Sequence, residues 1–215
     1  MRLSEIKGEY DGIFSLGYLC LTAIQLERNG LRPYAGPLDW LASYTLPDVS
    51  RLLRNRCEGL MARDHLHYEG TFADTHHLIR ETAYNLILNH DFFAHDNDPH
   101  RLERYPAVKS KYDYLTARFL ERAANGRRLL FVRCGGSREE VEELRDALDG
   151  FVAHDYVLLH VCESAAAKTL KENDWALARV CAVELPGEHD AVWTGNHRLW
   201  HYMLSGISYR VPQTD

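Results

Sequence analysis

Residues 129–140 read Leu129-Leu130-Phe131-Val132-Arg133-Cys134-Gly135-Gly136-Ser137-Arg138-Glu139-Glu140. The four leading apolar residues predict a strand, and apolar character at every position marks one buried on both faces rather than alternating toward water. The glycine pair ends it. Ser137 is a good N-cap for a helix over Arg138–Leu148, and Glu139, Glu140, Glu142 and Glu143 in its first turns complement the helix dipole while facing solvent.

The same unit recurs on either side. Gly12-Ile13-Phe14-Ser15-Leu16 predicts a strand closed by Gly17, followed by a helix that Asn29-Gly30 stops. Leu46, Val49, Leu52 and Leu53 share a face of a second helix with Pro47 near its start, ending near Arg56. A long helix is expected over Ala107–Asn125. Strands over Tyr156–Leu159 and Val180–Val183 enclose a helical or irregular piece from Ala165 to Trp175, and a last helix spans His197–Leu204. Between the second and third helices, Leu66-His67-Tyr68, His77–Arg80 and Tyr84–Leu88 read as strands. The last two form a hairpin across Glu81-Thr82, ahead of a polar loop from Ala94 to Pro106. Apolar strands separated by helices predict an α/β fold in three layers, with a mostly parallel central sheet and an antiparallel hairpin at one edge. With no repeat and no composition break, residues 1–215 are read as a single α/β domain.

Composition agrees with a globular chain that builds its own core: 215 residues, 46% hydrophobic and 26% charged. The 25 Lys+Arg against 31 Asp+Glu leave a net charge of −6, which argues against nucleic acid as a partner. No apolar run reaches the roughly 20 residues of a membrane span. The odd number of cysteines, 5, and an N-terminus Met1-Arg2-Leu3-Ser4-Glu5 without a signal segment point to reduced thiols in the cytoplasm.

In open α/β sheets, ligands collect beyond the carboxyl ends of strands. The segments at those ends here are Ser15-Leu16-Gly17-Tyr18-Leu19-Cys20, Asn89-His90-Asp91-Phe92, Arg133-Cys134-Gly135-Gly136 and His160-Val161-Cys162-Glu163. Cys20 falls in the first turn of a helix, where free N–H groups favour a thiolate; that placement suits a nucleophile. A cysteine beside Leu19, Ala23 and Leu26 also suits plain packing. His90, from another strand end, is the candidate base. Asp91 is its chain neighbour and points to the opposite face in an extended backbone, so Asp39, in Gly36-Pro37-Leu38-Asp39-Trp40, is the choice for orienting the imidazole. Ser15, Gly17, Trp40, Asp91 and Arg133 complete the candidate substrate-binding set. Arg133 is expected either to grip a carboxylate or phosphate of the substrate or to sit in a buried salt bridge with Asp39 or Asp91.

The blocks Ser15-Leu16-Gly17-x-x-Cys20, Pro37-Leu38-Asp39-Trp40, Asn89-His90-Asp91-Phe92, Lys111-Tyr112 with Arg118-Phe119, and Phe131-Val132-Arg133 resemble, in order, a bacterial family labelled "putative papain-like cysteine peptidase". The resemblance runs from about Tyr10 to Tyr209 and implies a thiol nucleophile on Cys20 with a histidine on His90. The chain departs from papain itself: no Gln shortly precedes Cys20, and Cys-Gly-Ser-Cys-Trp is missing. Backbone N–H groups of the Gly17–Cys20 turn are therefore the expected oxyanion donors.

The other constellations are read as structural. His90, Asp91, His95, Asp96, Asp98 and His100 crowd one loop, and His197 and His201 are four apart on a helix, yet neither follows a metal framework, so no metal is assigned. No Walker or dinucleotide loop is present, and no cofactor is assigned. Cys57, Cys134, Cys162 and Cys181 are taken as structural. The tryptophans are taken as core, with Trp193-Thr194-Gly195-Asn196 and Trp200 as alternative pocket walls. The resulting expectation is a cysteine-dependent hydrolase or acyl-transferase acting on an amide, ester or thioester of a small-molecule or peptide-like substrate, in an oligomeric state the sequence leaves open. The alternative is a non-catalytic module that binds a small molecule or carbohydrate in the same cleft.

Overall fold

The computed structural model describes residues 1–187 and 195–211. Strands β1 (Gly8–Tyr10) and β2 (Gly12–Ser15) lead into α1 (Leu21–Arg28), β3 (Leu41–Ala42) and α2 (Leu46–Arg54). Next come β4 (Leu66–Phe72), β5 (His76–Glu81), β6 (Leu86–Leu88) and α3 (Tyr105–Asn125). The chain continues through β7 (Arg128–Cys134), α4 (Arg138–Asp149), β8 (Asp155–Ser164), β9 (Lys171–Asn173), β10 (Val180–Pro186), α5 (His197–Leu204) and β11 (Ile207–Tyr209).

The central sheet has the order β2-β7-β8-β10-β9, parallel throughout except for β9. Pleating sends alternate residues of β7 to opposite faces. Leu129 and Phe131 join a core closed by α2, α3 and α4, whereas Leu130, Val132 and Cys134 join one closed by α1 and α5. These are the three layers of the sequence-derived α/β fold. On the first face Phe131 stacks on Phe14 at 5.4 Å, and Phe119 of α3 meets Phe14 edge-on at 5.0 Å. Each such buried ring contributes about 2–3 kcal/mol of apolar burial.

The antiparallel hairpin is present but belongs to its own four-stranded sheet, in the order β3-β6-β5-β4, rather than to the edge of the central one. Antiparallel pairing at the central edge comes instead from β9, within the piece expected to be helical or irregular. The hairpin also opens into a wider turn. Glu81 accepts the Tyr84 N–H at 2.8 Å and Asn85 is left-handed at φ +53°, so β6 begins at Leu86 and not at Tyr84. A parallel pair of short strands, β1 with β11, ties the first described residues to the last. Helix α4 carries the expected Ser137 cap, completed as a capping box: the Glu140 N–H donates to Ser137 Oγ, and the Ser137 N–H to the Glu140 carboxylate. Among the described residues, no helix is long and apolar enough to cross a membrane.

Candidate active site

Strand β2 ends at Ser15, and the chain must then reverse into α1 within five residues. It does so through Gly17 at φ +79° and Tyr18 at φ +110°. Glycine adopts the first freely. A tyrosine held at the second costs about 1–3 kcal/mol and persists only where its surroundings enforce it.

Those surroundings are Ser43 and Arg133. The Tyr18 N–H donates to Ser43 Oγ at 3.2 Å, and the Ser43 N–H donates back to the Tyr18 carbonyl at 2.8 Å. Arg133 Nη1 donates to the Leu16 carbonyl at 2.8 Å and to Ser43 Oγ at 2.7 Å, while Nη2 donates to the Ser43 carbonyl at 2.7 Å. Ser15 Oγ accepts the Gly17 N–H at 3.1 Å, and Thr22 Oγ1 donates to the Gly17 carbonyl at 3.0 Å. A Cβ on Gly17 would stand 2.6 Å from Ser43 Oγ, so the position has no room for a side chain. Arg133 is fully buried, and burial lowers its pKa to about 10, which still leaves it charged at neutral pH.

This turn delivers Cys20 to the head of α1, 5% exposed. On the other side, β6 gives way at Asn89 to His90, an exposed residue whose ring reaches the thiol: Cys20 Sγ lies 3.4 Å from His90 Nε2. The imidazole is flanked edge-to-face by Trp40 and His76, with centroids 6.1 and 6.2 Å away. Its neighbour Asp91 points away, as alternation requires, and accepts from Lys111 Nζ and, at 3.0 Å, from the Tyr112 hydroxyl. Asp91 thereby ties the His90 segment to α3.

The electrostatics favour a neutral pair. Burial pushes the Cys20 thiol above its ordinary value, against a hydrogen bond from its own N–H, and the charge of Asp39 adds to the rise. Partial desolvation of its ring beside the buried thiol lowers His90, exposed though the residue is, against the attraction of Asp91. At neutral pH the resting state is thus thiol beside free imidazole. The lowered thiol pKa expected from the helix N-terminus is overridden by desolvation.

Three expected roles change. Asp39 does not orient His90: its 2%-exposed carboxylate accepts from Arg32 Nε at 2.7 Å and from the Gly36 N–H at 2.8 Å. Among the described residues His90 Nδ1 has no hydrogen-bond partner. Arg133 is buried under the turn, in neither an exposed grip nor a salt bridge with Asp39 or Asp91: the Leu16 and Ser43 oxygens take its Nη1 and Nη2 donors, while the buried Nε has no partner among the described residues. Ser15, Gly17 and Asp91 likewise have their polar groups turned to the scaffold. Trp40 remains beside the pair, with the Arg32 guanidinium over its ring at 5.2 Å.

Sequence reasoning passes over Ser43, Tyr18 and His76. The one available signal is a bulky residue directly after Gly17 in a strand-to-helix turn; nothing local marks Ser43 or His76. His197 and His201 each use Nδ1 on side chains of α1 and its cap, Gln25 and Asn29, both at 2.9 Å, so they dock α5. Among the described residues no group of three or more His, Cys, Asp or Glu is placed to hold a metal ion. Trp193 and Thr194 lie outside the described residues.

A thiol and an imidazole converging from separate strand ends, over a strained turn, are what a cysteine-nucleophile family would supply. The family described as "putative papain-like cysteine peptidase" matches residues 11–154. The chain belongs to this family. The segment matched to this family holds Cys20, Asp39, Ser43, His90 and Arg133, whereas β8, β9, β10, α5 and β11 lie beyond it. A relative, "Uncharacterized protein R408" of Acanthamoeba polyphaga mimivirus, is 27% identical over 161 residues, covering 66% of this chain and 71% of its own. No solved structure gives a significant match.

Proposed function

We propose that the chain is a cysteine-dependent hydrolase or acyl-transferase, with Cys20 as nucleophile and His90 as general base and acid. The observation that carries this is the 3.4 Å approach of Cys20 Sγ to His90 Nε2. A packed cysteine has no need of an imidazole partner brought from a different sheet and held there by Asp91 on α3.

In the resting pair the thiol keeps its proton. As Sγ attacks the substrate carbonyl carbon, His90 Nε2 takes that proton, and the carbonyl π electrons move onto oxygen. The resulting oxyanion lies at the head of α1, whose first-turn amides lack intrahelical partners. The imidazolium returns the proton to the departing amine, alcohol or thiol, leaving an acyl thioester on Cys20. Water or a second nucleophile then gives its proton to His90, attacks the thioester and releases the acyl product, and the thiolate of Cys20 recovers the proton. Hydrolysis and transfer differ only in that second nucleophile. Five free cysteines among the described residues agree with a reducing compartment such as the cytoplasm.

The test is intact mass and rate after mixing with p-nitrophenyl acetate at pH 7. Acylation should map to Cys20, vanish in Cys20→Ala and slow by about 10²-fold or more in His90→Ala. Acylation of Cys20 at equal rates with and without His90 would overturn the assignment.

A further inference from the structure

The span from Asn89 to Asp91 is held at each end by the antiparallel sheet: Leu88 closes β6, and two residues after His90 the Phe92 carbonyl accepts the His77 N–H at 2.8 Å. Between those points Asp91 is the tie to α3. Its carboxylate, 5% exposed, accepts the Tyr112 hydroxyl at 3.0 Å on one oxygen and Lys111 Nζ on the other. Tyr112 is itself buried, and the Lys111 ammonium lies 4.6 Å from the centroid of its ring. The lysine thus folds back over its own helix to reach the carboxylate, although its side chain is 45% exposed. An exposed ion pair contributes little, but this one ends on a buried carboxylate, whose charge acts strongly on its neighbours when unanswered. Its chain neighbour is His90. A lone carboxylate there favours the imidazolium, which cannot take the Cys20 proton. Asp91 pulls His90 in that direction, and Lys111 opposes it. Of the other titratable groups about the ring, Cys20 at the head of α1 has its Sγ 3.4 Å from Nε2, and the His76 ring of β5 has its centroid 6.2 Å away. Arg32 and Asp39, on the segment that carries Trp40, face each other.

We infer that Lys111 is a positioning residue for the base: with the Tyr112 hydroxyl it holds the Asp91 carboxylate against α3 and cancels its charge at the imidazole, so that Asp91 anchors His90 and leaves it free to accept a proton. That His90 serves as the base rests on the Cys20–His90 reading; the balance of charge beside it does not.

Two readouts keep the questions apart. The first is the titration of the His90 ring in the full chain by ¹H–¹³C NMR, its resonance assigned by loss in His90→Gln. Lys111→Met leaves Asp91 alone and should move the His90 midpoint up, whereas Asp91→Asn leaves Lys111 alone and should move it down. Lys111→Arg keeps the charge and should hold the wild-type midpoint. The double variant Lys111→Met with Asp91→Asn, in which neither charge remains, should return to it, and with Asp91→Asn it carries the test where Lys111→Met does not fold. The second readout is acylation of Cys20 by p-nitrophenyl acetate against pH. Its inflexion should follow the His90 midpoint from variant to variant, and at pH 5.5 Lys111→Met should lose about threefold more of its own plateau rate than the wild type does. A purely structural contact predicts no such opposite shifts. Midpoints that stay fixed, or that move the same way in Lys111→Met and Asp91→Asn, overturn the inference, as does an acylation inflexion that stays put while the midpoints move. Midpoints that move as expected while acylation is indifferent to His90 uphold the action of Lys111 on His90 and overturn the catalytic reading instead.

Discussion

Arg133 holds both oxygens of Ser43 at once, Nη1 on the hydroxyl and Nη2 on the carbonyl, each at 2.7 Å. Ser43 in turn exchanges two hydrogen bonds with Tyr18, so the guanidinium acts at one remove on a residue held at φ +110° just ahead of Cys20. Arg133, expected either to grip the substrate or to sit in a buried salt bridge, instead donates to the Leu16 and Ser43 oxygens that hold the strained turn.

Ser43→Ala removes the acceptor of the Tyr18 N–H and one of the two Ser43 acceptors of Arg133. The expected loss of stability is about 1–3 kcal/mol, read by denaturant unfolding, because a buried donor is left unpaired. Arg133→Met should cost more, since it leaves the Leu16 and Ser43 oxygens without their donor. Acylation of Cys20 should fall in both variants even where the fold survives, and further in Arg133→Met. Full acylation in a folded Arg133→Met would remove the turn's dependence on the clamp.

The pH dependence of acylation separates general-base from ion-pair chemistry. His90 is lowered from 6.5 by burial, so its basic form is already dominant at pH 6.5 and is lost only as pH falls through a value below it. Cys20 is raised from 9.0, so its thiol persists through neutrality. The acylation rate should therefore rise to a plateau with an inflexion below pH 6.5. In His90→Ala the rate should follow the thiolate itself, climbing with pH through neutrality and levelling only above pH 9, as the thiol ionises. A bell falling again near pH 8 would show that a thiolate–imidazolium pair pre-exists.

How much of the site is legible in the chain depends on the kind of information each part needs. The strand-to-helix turns at Gly17 and Gly135-Gly136 are local, because apolar runs, glycines and caps act within a few residues, and the helix starts at Ser137 and Pro47 come with them. Cys20 is recoverable because it follows the carboxyl end of a parallel strand, a rule of topology and not of contact, whereas His90 follows β6 of the separate antiparallel sheet, so that rule points to it without accounting for its approach to the thiol. The partners of Asp39 and Arg133 are not recoverable, since a carboxylate chooses among several donors, and a guanidinium among several acceptors, by distance alone. The hairpin's detachment into its own sheet depends on β3, two residues long, which carries no pattern of its own.

Asp39 offers a clean discrimination. Its charge raises the Cys20 thiol, so Asp39→Asn should lower that pKa and speed alkylation of Cys20 by iodoacetamide at pH 8. The same change loses the buried Arg32 contact, about 1–3 kcal/mol of stability. Acylation should fall by less than about tenfold, far below the roughly 10⁴-fold loss seen where a carboxylate holds the tautomer of a catalytic imidazole. A loss of that larger size would return Asp39 to an orienting role.

Below the sheet end, His160 is expected to make the fold acid-sensitive. Its ring is fully buried beside Arg133 in the strand register, with Nε2 on the Gly135 carbonyl at 3.1 Å, and burial brings its pKa down to about 4. The unfolded chain takes up this proton near pH 6.5 but the folded chain only near pH 4, so between these values the unfolded state binds more protons and stability falls as pH falls. The stabilisation is fully present above pH 6.5, and about 3 kcal/mol of it is lost by pH 4. Unfolding free energies at intervals from pH 7 to pH 4 should show that slope, and His160→Asn should flatten it whatever it costs at pH 7. Because the His160 strand lies next to the Arg133 strand, acid loosening should begin at the Gly135 turn. Hydrogen exchange there at pH 5 should run ahead of exchange in α3; an unchanged slope in His160→Asn would place the acid-sensitive group elsewhere, with His90 the next to examine.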